Sequence, residues 1–165
     1  ETEIARVLKV YGEEKQARRI ARAIVRQREQ APIETTLDLA NLVESVIPRR
    51  GNPKHPATRT FQAVRIFVND ELGLLKSVLE SVIELLSPQG RLAVISFHSL
   101  EDRIVKRFMR DLSKAAELPP GIPYAAESVK PKMSLVGKAQ RPDDQEVDEN
   151  VRSRSAVLRV AERLG

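Results

Sequence analysis

The opening part of the chain carries a periodic spacing of apolar side chains that predicts short helices. Apolar residues at positions 4, 7, 8 and 11 follow the i, i+3, i+4, i+7 pattern of a first helix, and Gly12 is placed to cap it. A second helix follows at once, with an apolar stripe over residues 17–25, and Pro32 ends it. We therefore expect the chain to begin with an all-helical region.

A third helix is predicted by its capping residues. Thr35 with Asp38 three positions later forms a capping box, and Pro48 stops the apolar pattern that follows. Residues 48–56 then contain three prolines, one glycine and three fixed positive charges, which is neither a helix nor a strand pattern. We expect a mobile linker there.

The apolar spacing resumes over residues 57–86 and is helical for most of thirty positions. It predicts one long helix or two. Gly73 weakens a helix interior by about 1 kcal/mol relative to alanine, and Asn69 with Asp70 can cap a new start. We expect a break within residues 68–73, and we place the boundary between two domains, 1–68 and 69–165, at its start.

The region from residue 85 to residue 107 is the centre of the second domain. Pro88 and Gly90 predict a turn, and residues 92–97 form a near-continuous apolar run of the kind found in strands covered on both faces. Ser99 with Asp102 then predicts the capped start of another amphipathic helix. This order is typical of half of a doubly wound α/β layer.

Two more strands are predicted further on. They lie near residues 133–138 and 155–160, and the polar segment 141–150 between them reads as a loop or one helical turn. Residues 118–123, with three prolines and one glycine, predict an irregular loop. The fold class is therefore α/β, with an all-helical module before it.

Composition narrows the class of protein. Hydrophobic content of 41% and charged content of 31% are those of a globular chain. There are no cysteines and only two histidines, so we expect no metal site. No apolar run reaches the ~20 residues of a membrane helix and no signal peptide pattern is present, so we expect no membrane partner and a cytoplasmic protein. The net charge of +5 weakly favours a polyanionic partner.

Three strings carry a resemblance to a known family: HPATRTFQAVRIFVNDEL from His55, ISFHSLEDRIVKRFM from Ile95 and NVRSRSAVLRVAE from Asn150. Over nearly its whole length the chain resembles the RsmH (MraW) family of bacterial methyltransferases. The resemblance implies methyl transfer from S-adenosylmethionine to the N4 of a cytidine in 16S rRNA of the small ribosomal subunit. It also implies the C-terminal part of a class I methyltransferase (Rossmann-like) sheet plus an inserted helical module.

The part of the family's fold that holds the cofactor is not found in this sequence. That part contains a strand, a glycine-rich loop of the Gly-Gly-His type and an acidic residue for the ribose. Only 7 glycines are present, none of them in a G-x-G or G-G pair. We therefore assign no cofactor-binding residue here and expect the S-adenosylmethionine contacts mainly in the N-terminal part of the family's enzyme.

The candidate catalytic rim lies at the carboxyl end of the predicted strand 92–97, where open α/β sheets bind ligands. His98 and Ser99 leave the strand there, and an antiparallel last strand would bring Arg152 and Arg154 to the same edge. Ser99 is either a helix cap or catalytic, and His98 is either structural or a partner of the target base. The arginines suit phosphate or base contacts. Val151 stands where the family usually has proline.

The remaining RNA-binding candidates lie in the helical module, and each has a structural alternative. The basic face of the second helix is either a phosphate-binding ridge or an ordinary solvated face. Arg59, Gln62 and Arg65 either contact RNA or tie the module to the sheet, while Phe61 is expected in the core. The full set of candidates in the module is Arg19, Arg22, Arg26, Arg49, Arg50, Arg59, Gln62 and Arg65.

Three function classes stay open at this point. The first is a methyltransferase that this chain forms in part, the second a basic RNA-binding module without chemistry, and the third an assembly fragment. The proton acceptor is not assigned, and a homodimer is left open. A nucleotide methylated at its exocyclic amine would have to be splayed out of folded RNA into a pocket.

Overall fold

A computed structural model describes residues 1–49, 51, 54–115 and 130–165. Arg50 and the predicted loop at residues 118–123 lie outside the described residues. The chain divides into two compact units, Glu1–Glu71 and Leu72–Gly165. The assignment of these units to RNA recognition and to methyl transfer stays a prediction.

The first unit is helical throughout its described elements, as its apolar spacing predicts. Its core is built from buried side chains of all four helices, among them Leu8, Ile20, Val43 and Ala63. The helices are α1 (Thr2–Gly12), α2 (Ala17–Gln30), α3 (Thr36–Val46) and α4 (Thr58–Val68).

Helices α1 and α4 approach each other closely at Gly12. A Cβ atom on Gly12 would lie 2.6 Å from the backbone oxygen of Arg59, so only glycine allows this approach. The predicted role of Gly12 as the cap is wrong. Glu13 caps the helix instead, with a left-handed φ of 49°, because Gly12 is the last helical residue and is packed against α4.

Two local predictions in this unit are confirmed. Thr35 and Asp38 form both hydrogen bonds of a capping box, at 3.1 and 2.9 Å. The predicted break after Val68 is also present, because Asp70 takes a left-handed φ of 47° before a new helix begins at Glu71.

The second unit combines helices with a small sheet. Helix α5 begins at the last residue of the first unit and leads into it. The elements are α5 (Glu71–Leu85), β1 (Arg91–Ser96), α6 (Ser99–Leu112), β2 (Met133–Leu135), α7 (Asp144–Glu149), a 3-10 helix (Val151–Ser155) and β3 (Val157–Arg163).

The strand order of the sheet is β1-β3-β2, and β3 pairs antiparallel with both neighbours. The antiparallel direction of the last strand is therefore confirmed. β2 is shorter than predicted, and β3 begins later than predicted because the 3-10 helix occupies the residues before it. Both described pairings are antiparallel, so a doubly wound parallel sheet is not seen in the described part of the chain.

The prediction that both faces of β1 are covered is wrong for the described residues. Burial alternates along the strand, with Leu92 and Val94 partly buried and Ile95 57% exposed. The core lies on one face only, where α5 and α6 contribute Leu79 and Met109 to the same cluster. A continuous apolar run does not by itself tell how many faces are covered.

The turn before β1 forms as predicted, with one change of residue. Gln89 holds the positive φ of 67°, and Gly90 donates its N–H to the backbone oxygen of Ser87 at 2.8 Å. Among the described residues, no helix is both long and apolar enough to cross a membrane.

Candidate functional site

The carboxyl end of β1 and the amino end of β3 meet at one edge of the sheet. Ser96 pairs with Val157 at this edge. His98 follows two residues after Ser96, and the 3-10 helix with Arg152 and Arg154 ends just before Val157. The structure thus brings the two predicted polar segments to a common rim.

His98, and not Ser99, caps helix α6. Its Nδ1 accepts a hydrogen bond from the backbone N–H of Glu101 at 3.4 Å, and the Glu101 carboxylate accepts from the N–H groups of Phe97 and His98 at 3.0 and 3.3 Å. The predicted pair of Ser99 with Asp102 is wrong by one residue. The reason is that the Asp102 carboxylate is bonded to Arg159 on β3.

The other ring nitrogen of His98, Nε2, forms no hydrogen bond among the described residues. Because Nδ1 accepts, the ring proton of a neutral imidazole lies on Nε2. Nε2 is buried and has no hydrogen-bond partner among the described residues, although it lies 3.4 Å from the Glu101 carboxylate. This contact is electrostatic, because its geometry does not meet the requirements of a hydrogen bond. His98 therefore has a definite structural role and a spare donor.

Arg159 and Asp102 connect β3 to α6 behind the rim. The guanidinium donates to both carboxylate oxygens, at 2.7 and 3.1 Å, and both side chains are about one fifth exposed. These hydrogen bonds hold the pKa of Asp102 below its ordinary value, and the nearby charges of Lys106 and Arg141 act in the same direction. Sequence spacing gave no sign of this pair, because its members are 57 positions apart.

The 3-10 helix presents its two arginines to solvent. Ser153 between them is buried and donates its hydroxyl to the backbone oxygen of Glu146 at 3.3 Å. Asn150 caps the segment by accepting from the N–H of Arg152 at 3.1 Å. Arg152 and Arg154 are exposed and form no ion pair among the described residues. They are held on an ordered segment although Val151 replaces the proline usual in the family.

The predicted basic face of α2 is present in the first unit. Arg19, Arg22 and Arg26 are exposed on the helix, whose opposite side buries Ile20 and Ile24. The described partners of these arginines are weak: Arg22 lies 3.7 Å from the Glu1 carboxylate, and Arg19 donates to Gln16 at 3.4 Å. The first turn of α2 carries no acidic residue. The face is thus largely free to bind an anion.

The other candidates of the helical module are engaged within the protein. Arg59 donates to the backbone oxygen of Glu13 at 3.3 Å, and Gln62 donates to that of Tyr11 at 3.2 Å. These bonds satisfy carbonyl groups at the end of α1 that no helical N–H reaches. Arg65 binds the Glu71 carboxylate with two bonds, at 2.7 and 3.0 Å.

The contacts of Arg59, Gln62 and Arg65 favour a structural role for these residues. That role lies within the helical module and does not consist of tying the module to the sheet. In the linker, Arg49 pairs with Glu44 at 2.8 Å, and the ring of His55 lies 3.4 Å from the same carboxylate. Arg50 lies outside the described residues.

A cavity of about 510 Å³ opens in the first unit and was not predicted from the sequence. Phe61 and Phe67 form part of its wall, and Arg28 lies at its lining. Thr60 also lines it, is fully buried, and has a hydroxyl group without a hydrogen-bond partner among the described residues. A buried unpaired hydroxyl costs about 1–3 kcal/mol. Because its oxygen is itself inaccessible, a ligand atom reaches it only where the cavity wall moves aside.

The described glycines form no glycine-rich turn after a strand. Gly12 and Gly90 are close to the chain's own backbone oxygens, Gly51, Gly137 and Gly165 face open space, and Gly73 lies within helix α5. The residues present therefore do not fit S-adenosylmethionine by the criterion of a glycine-lined approach. We derive no reaction step through the cofactor from this chain.

Comparison with known proteins defines the class. Residues 1–164 match the MraW methylase family, so the chain belongs to that family, and the resemblance of the three strings is confirmed. Two relatives are named Ribosomal RNA small subunit methyltransferase H. That of Thioalkalivibrio sulfidiphilus is 56% identical over 165 residues (99% of this chain, 52% of the relative), and that of Halorhodospira halophila is 58% identical over 163 residues (98% and 50%).

A third relative of the same name, from Legionella pneumophila strain Corby, is 54% identical over 162 residues. These cover 98% of this chain and 53% of the relative. The chain thus spans about half the length of the curated relatives it matches.

Proposed function

We propose that this chain forms part of an enzyme that transfers a methyl group from S-adenosylmethionine to the N4 of a cytidine in 16S rRNA. Membership in the MraW methylase family is the observation that carries this proposal. The names of the relatives, which are small-subunit ribosomal RNA methyltransferases, support the substrate class. The N4 position, the donor, the cytoplasmic location and the Rossmann-like arrangement of the complete sheet belong to the proposal.

The rim supplies groups suited to holding the target nucleotide. The lone pair of an exocyclic cytosine amine is delocalised into the ring, so the nitrogen must be held in line for attack and must lose a proton. Arg152 and Arg154 are free to bind the phosphates beside the target nucleotide. His98 presents a buried Nε2 donor without a hydrogen bond at the same rim, and we assign it to positioning. The proton acceptor is not assigned.

The helical module supplies two features suited to RNA recognition. The basic face of α2 can bind backbone phosphates, whose contacts position an RNA strand without reading its sequence. The 510 Å³ cavity can accept an unstacked base, because it offers aromatic walls and one unpaired hydroxyl. Its volume lies within the roughly 300–1,000 Å³ typical of small-ligand sites.

The test uses a complete protein that bears this sequence. It is incubated with labelled S-adenosylmethionine and small ribosomal subunits that lack the modification, and the RNA is digested to nucleosides for mass spectrometry. The expected product is cytidine methylated at N4. Methylation at another position of cytidine would overturn the N4 assignment, and the absence of any methylated nucleoside would overturn the methyl-transfer proposal.

The second candidate function is RNA binding without chemistry by the helical module. The specific observation that favours it is the unbalanced basic face of α2 together with the cavity of the same unit. Under this alternative, the complete protein binds RNA through the same residues but transfers no methyl group. The nucleoside analysis therefore separates the two functions.

A further inference from the structure

A small basic cavity lies in the second unit, between helix α6 and the segment that follows β2. Its volume is about 130 Å³. One water needs only about 10–15 Å³ of such space, so a phosphoryl group fits. Among the described residues no carboxylate lines the cavity, and four of its lining residues are cations: Lys106, Arg110, Lys138 and Arg159.

The positive charge of this cavity is only partly neutralised. Arg159 is paired with Asp102, and Arg110 with the exposed Asp111 at 2.7 Å. Lys106 and Lys138 have no carboxylate within ion-pairing distance in the described part of the chain. Lys106 and Lys138 thus line the cavity without an ion pair of their own in the described part of the chain, although Lys106 lies near the Asp102 carboxylate that Arg159 binds, and such a setting favours a bound anion.

Hydrogen bonds to β3 hold both ends of the loop that carries Lys138. The N–H of Val136 donates to the backbone oxygen of Val160 at 3.0 Å, and Gln140 exchanges two bonds of 2.9 Å with Leu158. Gly137 supplies the left-handed φ of 69° that the short loop requires. Lys138 is therefore presented from a fixed backbone, which reduces the ordering cost of binding.

We propose that this cavity binds a phosphoryl group, and that in the complex with RNA this group is a backbone phosphate. The RNA part rests on the proposed function. The cavity is displaced from the rim along β3. Arg159, which lines the cavity, follows the rim residue Val157 by two positions, a rise of roughly 7 Å. An RNA strand held by Arg152 and Arg154 at the rim would then place a neighbouring backbone phosphate at the cavity.

The first arm of the test uses inorganic phosphate alone. Phosphate is titrated into a complete protein that bears this sequence while the amide signals of Gly137 and Lys138 are followed by NMR. The double variant Lys106→Gln, Lys138→Gln is expected to weaken phosphate binding by about tenfold or more, as for the loss of a charge-assisted hydrogen bond. The matched control is Lys9→Gln with Lys76→Gln, two exposed lysines on α1 and α5.

The second arm uses a single-stranded RNA oligonucleotide. The double variant removes one phosphate contact, so it is expected to lower the slope of log K against log salt by about 0.7, and the control is expected to keep the slope. RNA is also expected to displace phosphate from the cavity.

The outcomes separate the inference from the function it rests on. Phosphate shifts that are absent, or equal in the double variant and the control, overturn the site. If RNA does not displace phosphate, and RNA binding does not depend on the two lysines, the RNA assignment is overturned and a site for free anions remains. A complete protein that binds no RNA at all rejects the proposed function, while the phosphate arm still decides the cavity.

Discussion

Arg159 on β3 and Asp102 on α6 form a two-bond ion pair at 2.7 and 3.1 Å, although they are 57 positions apart in the chain. The pair orients the first turn of α6 against the sheet. His98 begins that turn, so the pair also fixes the side chain that the rim presents. Its contribution should be visible as a dependence of stability on pH.

Asp102→Asn is expected to lower the free energy of unfolding by about 1–2 kcal/mol at pH 7. The pKa of Asp102 is lowered in the folded state, chiefly by the Arg159 hydrogen bonds, so its contribution is present above the unfolded pKa of about 3.9. It is lost as the pH falls through the folded pKa. The difference in stability between the two proteins should therefore begin to shrink near pH 3.9 and should vanish only below the folded pKa, as measured by urea unfolding from pH 7 downward.

Asp111→Asn is the matched control for this prediction. Asp111 pairs with Arg110 on the surface, and its side chain is 61% exposed. Such pairs contribute about 0–1 kcal/mol, so the control should differ little from the wild type at any pH. Equal losses for Asp102→Asn and Asp111→Asn would contradict a special role for the pair.

The two predicted capping boxes show what local sequence can and cannot decide. Thr35 with Asp38 was predicted correctly, because each side chain bonds the other's backbone N–H and no distant residue in the described part of the chain takes either of them. After β1, two possible capping boxes overlap: His98 with Glu101, and Ser99 with Asp102. Serine is preferred to histidine as an N-cap. The choice of His98 over Ser99 is made by Arg159, which takes Asp102 through a contact that exists only after the sheet has formed.

The candidate site likewise has features that local sequence decides and features that only long-range contacts decide. The meeting of the two polar segments was predictable, because the antiparallel pairing of β3 with β1 places residues 97–98 and 151–155 at the same end of the sheet. The engagement of Arg59 and Gln62 with the end of α1 could not be decided, since it depends on how two helices separated by some fifty residues cross. The cavity at Thr60 was missed for that reason also: its wall comes from several helices.

Thr60→Val is expected to separate ligand binding from stability. The hydroxyl has no partner in the described structure, so its replacement by a methyl group of similar shape should leave the free energy of unfolding unchanged or raise it. RNA affinity should fall by about tenfold, as for one lost hydrogen bond to a buried partner. Fluorescence anisotropy and urea unfolding on the same samples test both parts.

Thr58→Val is the control for the Thr60 prediction. Thr58 lies on the same helix, but its hydroxyl already donates to the backbone oxygen of His55 at 2.7 Å, and it does not line the cavity. The control should therefore lose stability and keep RNA affinity. Unchanged RNA affinity in Thr60→Val would remove the cavity from the recognition surface.

Gly12→Ala is expected to destabilise the helical unit. The new Cβ would lie 2.6 Å from the backbone oxygen of Arg59, so α1 and α4 must separate, and overpacking of this kind costs about 1–3 kcal/mol. Lys9→Ala, an exposed change on the same helix, should stay within about 0.5 kcal/mol. Thermal unfolding of the two variants gives the comparison, and equal melting temperatures would mean that the close approach is not maintained in solution.

The basic face of α2 should contribute to RNA binding through charge. Replacing Arg19, Arg22 and Arg26 by glutamate is expected to weaken binding of a small-subunit RNA fragment and to lower its salt slope by about 2, at 0.7 for each contact. A second variant carries the same charge change at exposed positions elsewhere, Lys9, Lys76 and Lys114. If both variants lose the same slope, the face is an ordinary solvated surface and only net charge matters.

The last prediction concerns the rim and uses a complete protein that bears this sequence. Arg154→Ala should lower methylation by about a hundredfold, the cost of one positioning contact, while stability changes by less than about 0.5 kcal/mol, because the side chain is exposed and unpaired among the described residues. His98→Ala is less informative, since it also removes the cap of α6, worth about 1 kcal/mol.

His98→Asn resolves this ambiguity. Asparagine is a good N-cap, so it can keep the bond from the Glu101 N–H, but its amide cannot place a donor where Nε2 of the imidazole lies. If His98 positions the target nucleotide, His98→Asn should retain the melting temperature and lose methylation in single-turnover assays, with a weaker apparent substrate affinity. If methylation follows the melting temperature across Ala and Asn variants, His98 is only the cap of α6, and the rim assignment then depends on Arg154 alone.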